Sequence, residues 1–169
     1  VLPQIELATT KIINVTDNAG KVMSCGNGGS AGDAQHIVSE LVNRFEKERK
    51  EIAAVSLNSD TATITSIAND YDYKYIFSKQ INAIGKKEDL LIAFTTSGNS
   101  SNICEAINSA KKIKIPVVLI TGKDGGKASN LLSSEDIEIR VPSDRTARIQ
   151  EIHLIIIHSI CECIDEHLT

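Results

Sequence analysis

The sequence predicts an α/β fold, a single domain built on a parallel sheet of about five strands with helices on both faces. Three observations carry that reading. Short, nearly continuous apolar runs recur at Val22–Cys25, Ile52–Leu57, Leu90–Phe94 and Val117–Ile120. Strands buried on both faces read this way, whereas half-solvated strands alternate. Each run stops at small polar residues, and a helical period follows in most cases, which is the order that crossover connections impose. Finally, 169 residues of which 41% are hydrophobic and 24% charged suffice for one core.

Each element follows from its own pattern. Ile5, Leu7, Ile12, Ile13 and Val15 predict a helix over about 3–17, ended by the turn Asn18-Ala19-Gly20. The run Val22–Cys25 is a strand that stops at Gly26-Asn27-Gly28-Gly29-Ser30. Ala34, Ile37, Val38, Leu41 and Val42 then recur at helical spacing. After the strand at Ile52–Leu57, Ser59 or Asp60 is an N-cap for a helix through Ile64 and Ile67, and a second helix is expected from about Asp72 to Ala83. Leu90–Phe94 leads through Thr95–Ser100 into a helix carrying Ile103, Ala106, Ile107 and Ala110. Pro116 opens the fourth strand, which ends at Thr121 and the turn-rich stretch that follows. Ile137, Ile139 and Val141 alternate with charged residues, as on an edge strand, and Pro142 closes it. From about 146 to 168 no breaker occurs and apolar residues go nearly all the way round, so this helix is expected to be buried on more than one side. No linker or internal repeat interrupts residues 1–169.

Composition removes several function classes. The net charge of −4 comes from intermixed signs, 18 Lys+Arg against 22 Asp+Glu, so no basic stripe awaits nucleic acid. No apolar run approaches the roughly 18 residues that span a bilayer. The four cysteines, Cys25, Cys104, Cys161 and Cys163, form neither a disulfide framework nor metal knuckles, and reduced thiols in the cytoplasm are expected. The chain carries no secretory signal, and it opens on Val1, from which a start further upstream is expected.

Two loops at strand ends carry chemistry. Thr95, Thr96, Ser97, Gly98, Asn99, Ser100 and Ser101 place hydroxyls and a glycine at a strand-to-helix junction. That suits a phosphate, through bare N–H groups, the helix dipole and hydroxyl donors; an ordinary N-capped turn is the alternative. The loop Gly26–Ser30 lacks the endings of a P-loop or a dinucleotide turn. Its glycines allow close ligand approach, with the Asn27 side chain free for hydroxyls, or simply a tight turn. His36 and Glu40 lie one helical turn apart and could ligate zinc, form a surface pair or hold a base. On the last helix Gln150 and His158 differ by about 80° over two turns, so both could border one cavity; a core histidine is the alternative. Asn69 and Asp70 suit a helix end, and Arg44 belongs to a charged loop from which it could reach an anion.

Taken in order, Ser24-Cys-Gly-Asn-Gly-Gly-Ser30, Asp33-Ala-Gln-His36 with Glu40, Asn69-Asp70, Thr95-Thr-Ser-Gly-Asn-Ser100, Thr121-Gly-Lys-Asp-Gly-Gly126 and Arg148-Ile-Gln-Glu-Ile-His153 resemble the bacterial phosphoheptose isomerase family of the sugar isomerase (SIS) domain group. The resemblance implies a flavodoxin-like, doubly wound αβα sandwich with a five-stranded parallel sheet, usually a homotetramer. It implies conversion of sedoheptulose 7-phosphate to D-glycero-D-manno-heptose 7-phosphate, the first step toward ADP-heptose and the lipopolysaccharide core, in the cytoplasm. Thr95, Thr96, Ser97 and Ser100 match the phosphate-binding segment, and Asn27, Gly28, Gly29, Asn69 and Asp70 match sugar-binding positions. Ser30, Arg44 and Gln150 are counted with them at the substrate. Glu40 matches the general base and His158 its acid/base partner. His36, Glu40, Gln150 and His158 match a zinc site, one ion per subunit, whose role is open between polarising a carbonyl and regulation or structure.

The chain departs from the family in two places. Ala147 stands where some members carry an aspartate immediately before the arginine matching Arg148, and the first helix is shorter than usual. Two rivals remain: a non-catalytic SIS-domain regulator that binds the replication initiator protein, and an isomerase of hexose or pentose phosphates. Glu40 and His158 favour the enzyme over the regulator, since a binding module needs neither.

Overall fold

The computed structural model describes residues 1–169 and holds five strands, all parallel, in the order β2-β1-β3-β4-β5. They are β1 (Val22–Cys25), β2 (Ala54–Ser56), β3 (Leu90–Phe94), β4 (Val117–Gly122) and β5 (Ile137–Val141). The helices are α1 (Leu2–Asp17), α2 (Gly29–Val42), α3 (Thr61–Asp70), α4 (Ser78–Ile84), α5 (Ser101–Lys112), α6 (Gly126–Ser129) and α7 (Thr146–Leu168).

Side-chain alternation along the strands divides the core into two layers. Val22, Leu90, Ile92, Phe94, Val118, Ile120, Ile137 and Ile139 face α1, α2 and α7. Met23, Cys25, Leu91, Ala93, Val117 and Leu119 face residues of α3, α4, α5 and α6. Both faces of β1, β3 and β4 are thus apolar, and their sequences run without alternation. β5 lies at the edge, and its Glu138 and Arg140 pair with each other there. Burial alone would raise the Glu138 carboxyl, but hydrogen bonds from Arg140, Thr121 and Ser129 outweigh it and hold it low.

Two expectations need correction, and a third, the burial of the last helix on more than one side, holds in part. The helix expected over Asp72–Ala83 is a 3-10 turn at Tyr73–Tyr75 followed by α4. Asp72 caps the turn through the Lys74 N–H at 2.8 Å, and the chain bends so that the consecutive Ile76 and Phe77 both reach the core. The second apolar run, Ile52–Leu57, is paired only at Ala54–Ser56. The last helix is buried along Ile149, Ile156, Ile157, Ile160 and Ile164, yet Ile152, Leu154 and Ile155 stay exposed in the single chain.

Candidate active site

Strand order reverses between β1 and β3, so the loops leaving their carboxyl ends part and open a crevice. A cavity of about 260 Å³ lies there, lined by Asn27, Gly28, Gly29, Ser30, Phe94, Thr95, Thr96, Ser97, Ser100, Thr146 and Gln150. Both loops seen in the sequence therefore meet at one place.

Each loop is held rigidly from outside the cavity. Asn58 accepts from the Gly26 N–H at 3.1 Å and donates to the Gly26 carbonyl at 2.9 Å. In the second loop Gly98 has φ +67°, and a Cβ there would fall 1.9 Å from the Gly125 carbonyl oxygen. The Gly98 carbonyl accepts from the Ala128 N–H at 2.8 Å, and Thr95 Oγ1 accepts from the Gly98 N–H at 3.1 Å. Ser100, the N-cap of α5, makes no side-chain cap bond, so its hydroxyl is uncommitted at a helix N-terminus.

Asn27 departs from the expectation of a free side chain. Its Nδ2 donates to Asn102 Oδ1 at 2.8 Å, and its Oδ1 accepts from Asn102 Nδ2 at 2.7 Å. The Tyr73 hydroxyl also donates to Asn27 Oδ1, at 3.2 Å. This closed amide pair ties the glycine loop to the first turn of α5 and so to the hydroxyl loop. Asn102 is only 2% exposed. It shares the buried stripe of α5 with Ile103, Ala106 and Ala110, and a polar residue on that stripe is the signal that could have singled it out. Phe94, Tyr73 and Thr146 were also missed.

α2 and α7 pack together and carry the remaining groups in successive layers. At the cavity, Gly29 leaves room for Gln150, whose Nε2 would lie 2.2 Å from a Cβ at that position. One turn on, His153 is fully buried with Nε2 donating to the Thr121 carbonyl at 3.0 Å, while Nδ1 faces Asp33 Oδ2 at 3.9 Å. Burial lowers the His153 pKa. It raises the Asp33 carboxyl to about 6, with nearby His36 pulling the other way. In the next layer His36 Nε2 donates to Glu40 Oε1 at 2.9 Å, and the His158 ring meets His36 edge-on with centroids 5.1 Å apart. Phe45 packs on His158 at 5.5 Å.

The site residues expected from the sequence therefore fall into three groups. Asn27, Gly28, Gly29, Ser30, Thr95, Thr96, Ser97, Ser100 and Gln150 surround the cavity. His36, Glu40 and His158 cluster further along the same two helices. Arg44, Asn69 and Asp70 lie outside the lining of the cavity: Arg44 pairs with Glu48 at 2.9 Å, and Asn69 donates to Asp70 at 2.9 Å on the exposed end of α3.

The third layer also bears on metal binding. Two imidazoles and a carboxylate, with the Gln150 amide two turns away on α7, are donors that zinc accepts, so the residues fit the ion in kind. As they stand, His36 and Glu40 are closed on each other, and no three His, Cys, Asp or Glu side chains surround a common metal position.

Comparison with known proteins agrees with this architecture. The SIS domain family model matches residues 2–122. The phosphoheptose isomerase of Alteromonas mediterranea is 53% identical over 169 residues, covering 99% of this chain and 85% of the relative. That of Colwellia psychrerythraea is 54% identical over 166 residues, covering 98% and 85%. Among solved structures, the phosphoheptose isomerase from Neisseria gonorrhoeae superposes with a TM-score of 0.92 at 43% identity, covering 97% of this chain and 86% of the other. The phosphoheptose isomerase from Francisella tularensis gives 0.94 at 44% identity with the same coverage. Similarity of this depth along nearly the whole chain, joined to a hydroxyl-lined crevice at the switch point, means that the chain belongs to the phosphoheptose isomerase family of SIS-domain proteins.

Proposed function

We propose that the protein isomerises sedoheptulose 7-phosphate to D-glycero-D-manno-heptose 7-phosphate, the entry to ADP-heptose. The observation that carries this is the sharing of α2 and α7 between the anion-suited cavity and the Glu40–His36–His158 cluster. The phosphate sits against the Thr95–Ser100 loop, where hydroxyls and the α5 N-terminus neutralise it. Glu40 removes the proton from C1 of the ketose, the enediol forms, and the proton returns at C2. His158 moves the second proton between the C1 and C2 oxygens. Phosphate binding remote from these carbons orients them, so anchoring energy lowers the barrier. The replication-regulator reading is not favoured, because the relatives matched along the whole chain are isomerases.

His36, Glu40, His158 and Gln150 would hold zinc. When bound, the ion supplies a Lewis acid for a carbonyl oxygen, or structural order if its role is not chemical. The exposed Ile152, Leu154 and Ile155 on α7 support a homotetramer. Four free cysteines support a cytoplasmic location, and no helix is long and apolar enough to cross a membrane.

Incubation with sedoheptulose 7-phosphate, with and without a chelator, tests the assignment by appearance of the aldose phosphate. No aldose product in either arm, from folded protein, refutes it.

A further inference from the structure

The segment joining α2 to β2 reads in sequence as a solvated run of charge. One of its arginines is not in solvent: the Arg49 side chain is 0% exposed and that of its partner Asp165 2%. Asp165 Oδ1 accepts from Arg49 Nε at 2.9 Å, and Oδ2 accepts from the backbone N–H groups of Glu46 at 2.9 Å and Lys47 at 2.8 Å. The rest of the guanidinium fork turns to carbonyls. Nη2 donates to the carbonyl of Glu40 at 2.6 Å, and Nη1 to those of Leu41 and Lys50, each at 3.1 Å. The carbonyls of Glu40 and Leu41 belong to the last turn of α2, where no N–H within the helix is left to donate to them; the Leu41 carbonyl also accepts from the Ile52 N–H at 3.0 Å. Between the two anchors the same segment presents Phe45 to the His158 ring.

We propose that Arg49 is a positioning residue for the isomerisation, holding the backbone of Glu40 and, through the segment that carries Phe45, the ring of His158. The proposal rests on the assignment of Glu40 and His158 as base and partner. A glycine or a lysine could end α2, but only a planar fork spans two adjacent helical carbonyls while pairing with a carboxylate. Asp165 lies two turns beyond His158 on α7, so the pair joins the helix of the base to the helix of its partner at one fixed distance. None of these bonds touches the Thr95–Ser100 loop. Loosening them therefore spreads Glu40 and His158 over more orientations while the phosphate grip is unchanged, which lowers kcat and spares KM.

The test compares wild type, R49K, D165N and K21M by steady-state turnover of sedoheptulose 7-phosphate and by thermal melting. Lys21 pairs with buried Asp89 at 2.6 Å at the amino ends of the strands, away from the site, so K21M reports the effect of losing an ion pair there. R49K keeps the charge opposite Asp165 but not the fork, and its kcat is expected to fall at least about tenfold with KM within about threefold. K21M is expected to lower the melting temperature while kcat stays within about twofold. D165N, which retains an acceptor for the backbone N–H groups, carries the same expectation as R49K if R49K does not fold. Wild-type protein that makes no aldose overturns the underlying assignment instead. Active wild type with R49K or D165N kcat within twofold, or with KM rising as far as kcat falls, overturns the role of Arg49, as does an equal loss of kcat in K21M.

Discussion

His153 Nδ1 and Asp33 Oδ2 face each other at 3.9 Å between α7 and α2, and both are buried without a hydrogen-bond partner. The carboxyl, raised to about 6 by burial, is the costly member once ionised. Its folded value exceeds its unfolded one, so the stability it contributes is present at low pH and lost as pH rises through about 6. Asp33→Asn is expected to raise the melting temperature at pH 8 by about 3–6 °C and to remove the fall in stability between about pH 4 and 6. A slope of opposite sign remains, because His153, lowered by burial, loses stability as pH falls. Melting curves from pH 4 to 8 decide it; a less stable variant at pH 8 would show that the carboxylate is well satisfied.

Glu40→Gln keeps an oxygen for the His36 ring and removes the proposed base. Turnover of sedoheptulose 7-phosphate should fall by about 10²–10⁴-fold with little change in sugar-phosphate affinity. Wild-type turnover in this variant would take Glu40 out of the mechanism.

Ser97→Ala combined with Ser100→Ala removes two hydroxyls at the start of α5, of which Ser97 Oγ also accepts from the Asn99 N–H at 3.3 Å. Each hydrogen bond to an ionised group contributes about 1.5–3 kcal/mol, so KM should rise at least about tenfold while kcat changes less. Isothermal titration with sedoheptulose 7-phosphate gives a direct reading, and unchanged affinity would place the phosphate elsewhere.

Asn102→Ala opens the amide pair and leaves Asn27 bonded only to Tyr73. A stability loss of about 1–3 kcal/mol is expected, with KM raised as the two loops lose their register. Urea titration and kinetics measure both; a variant of normal stability and KM would show that the loops hold their places independently.

His36→Ala removes one proposed zinc donor and frees Glu40. Equilibrium dialysis against zinc chloride should show affinity at least about tenfold weaker than wild type. Equal binding by the two proteins would move the metal away from this cluster.

Much of this was legible because single residues carried the physics. Leu90–Phe94 and Val117–Ile120 lack alternation since both sides of the sheet are covered, and the order of loops along the chain located the cavity. Contacts between distant segments were not legible. Asn27 and Asn102 are 75 residues apart, and nothing local distinguishes a closed amide from one open to a sugar. Arg49 sits in a charged run, and its burial follows only from Asp165, 116 residues later. The glycine at 29 reads as backbone freedom, whereas its use is to admit the side chain of Gln150.

The unbroken α7 has one more consequence. From Gln150 at the crevice to His158 the helix rises about 12 Å, and no proline or glycine lets that span flex. A rod of fixed pitch thus keeps the crevice and the histidine layer at one constant separation.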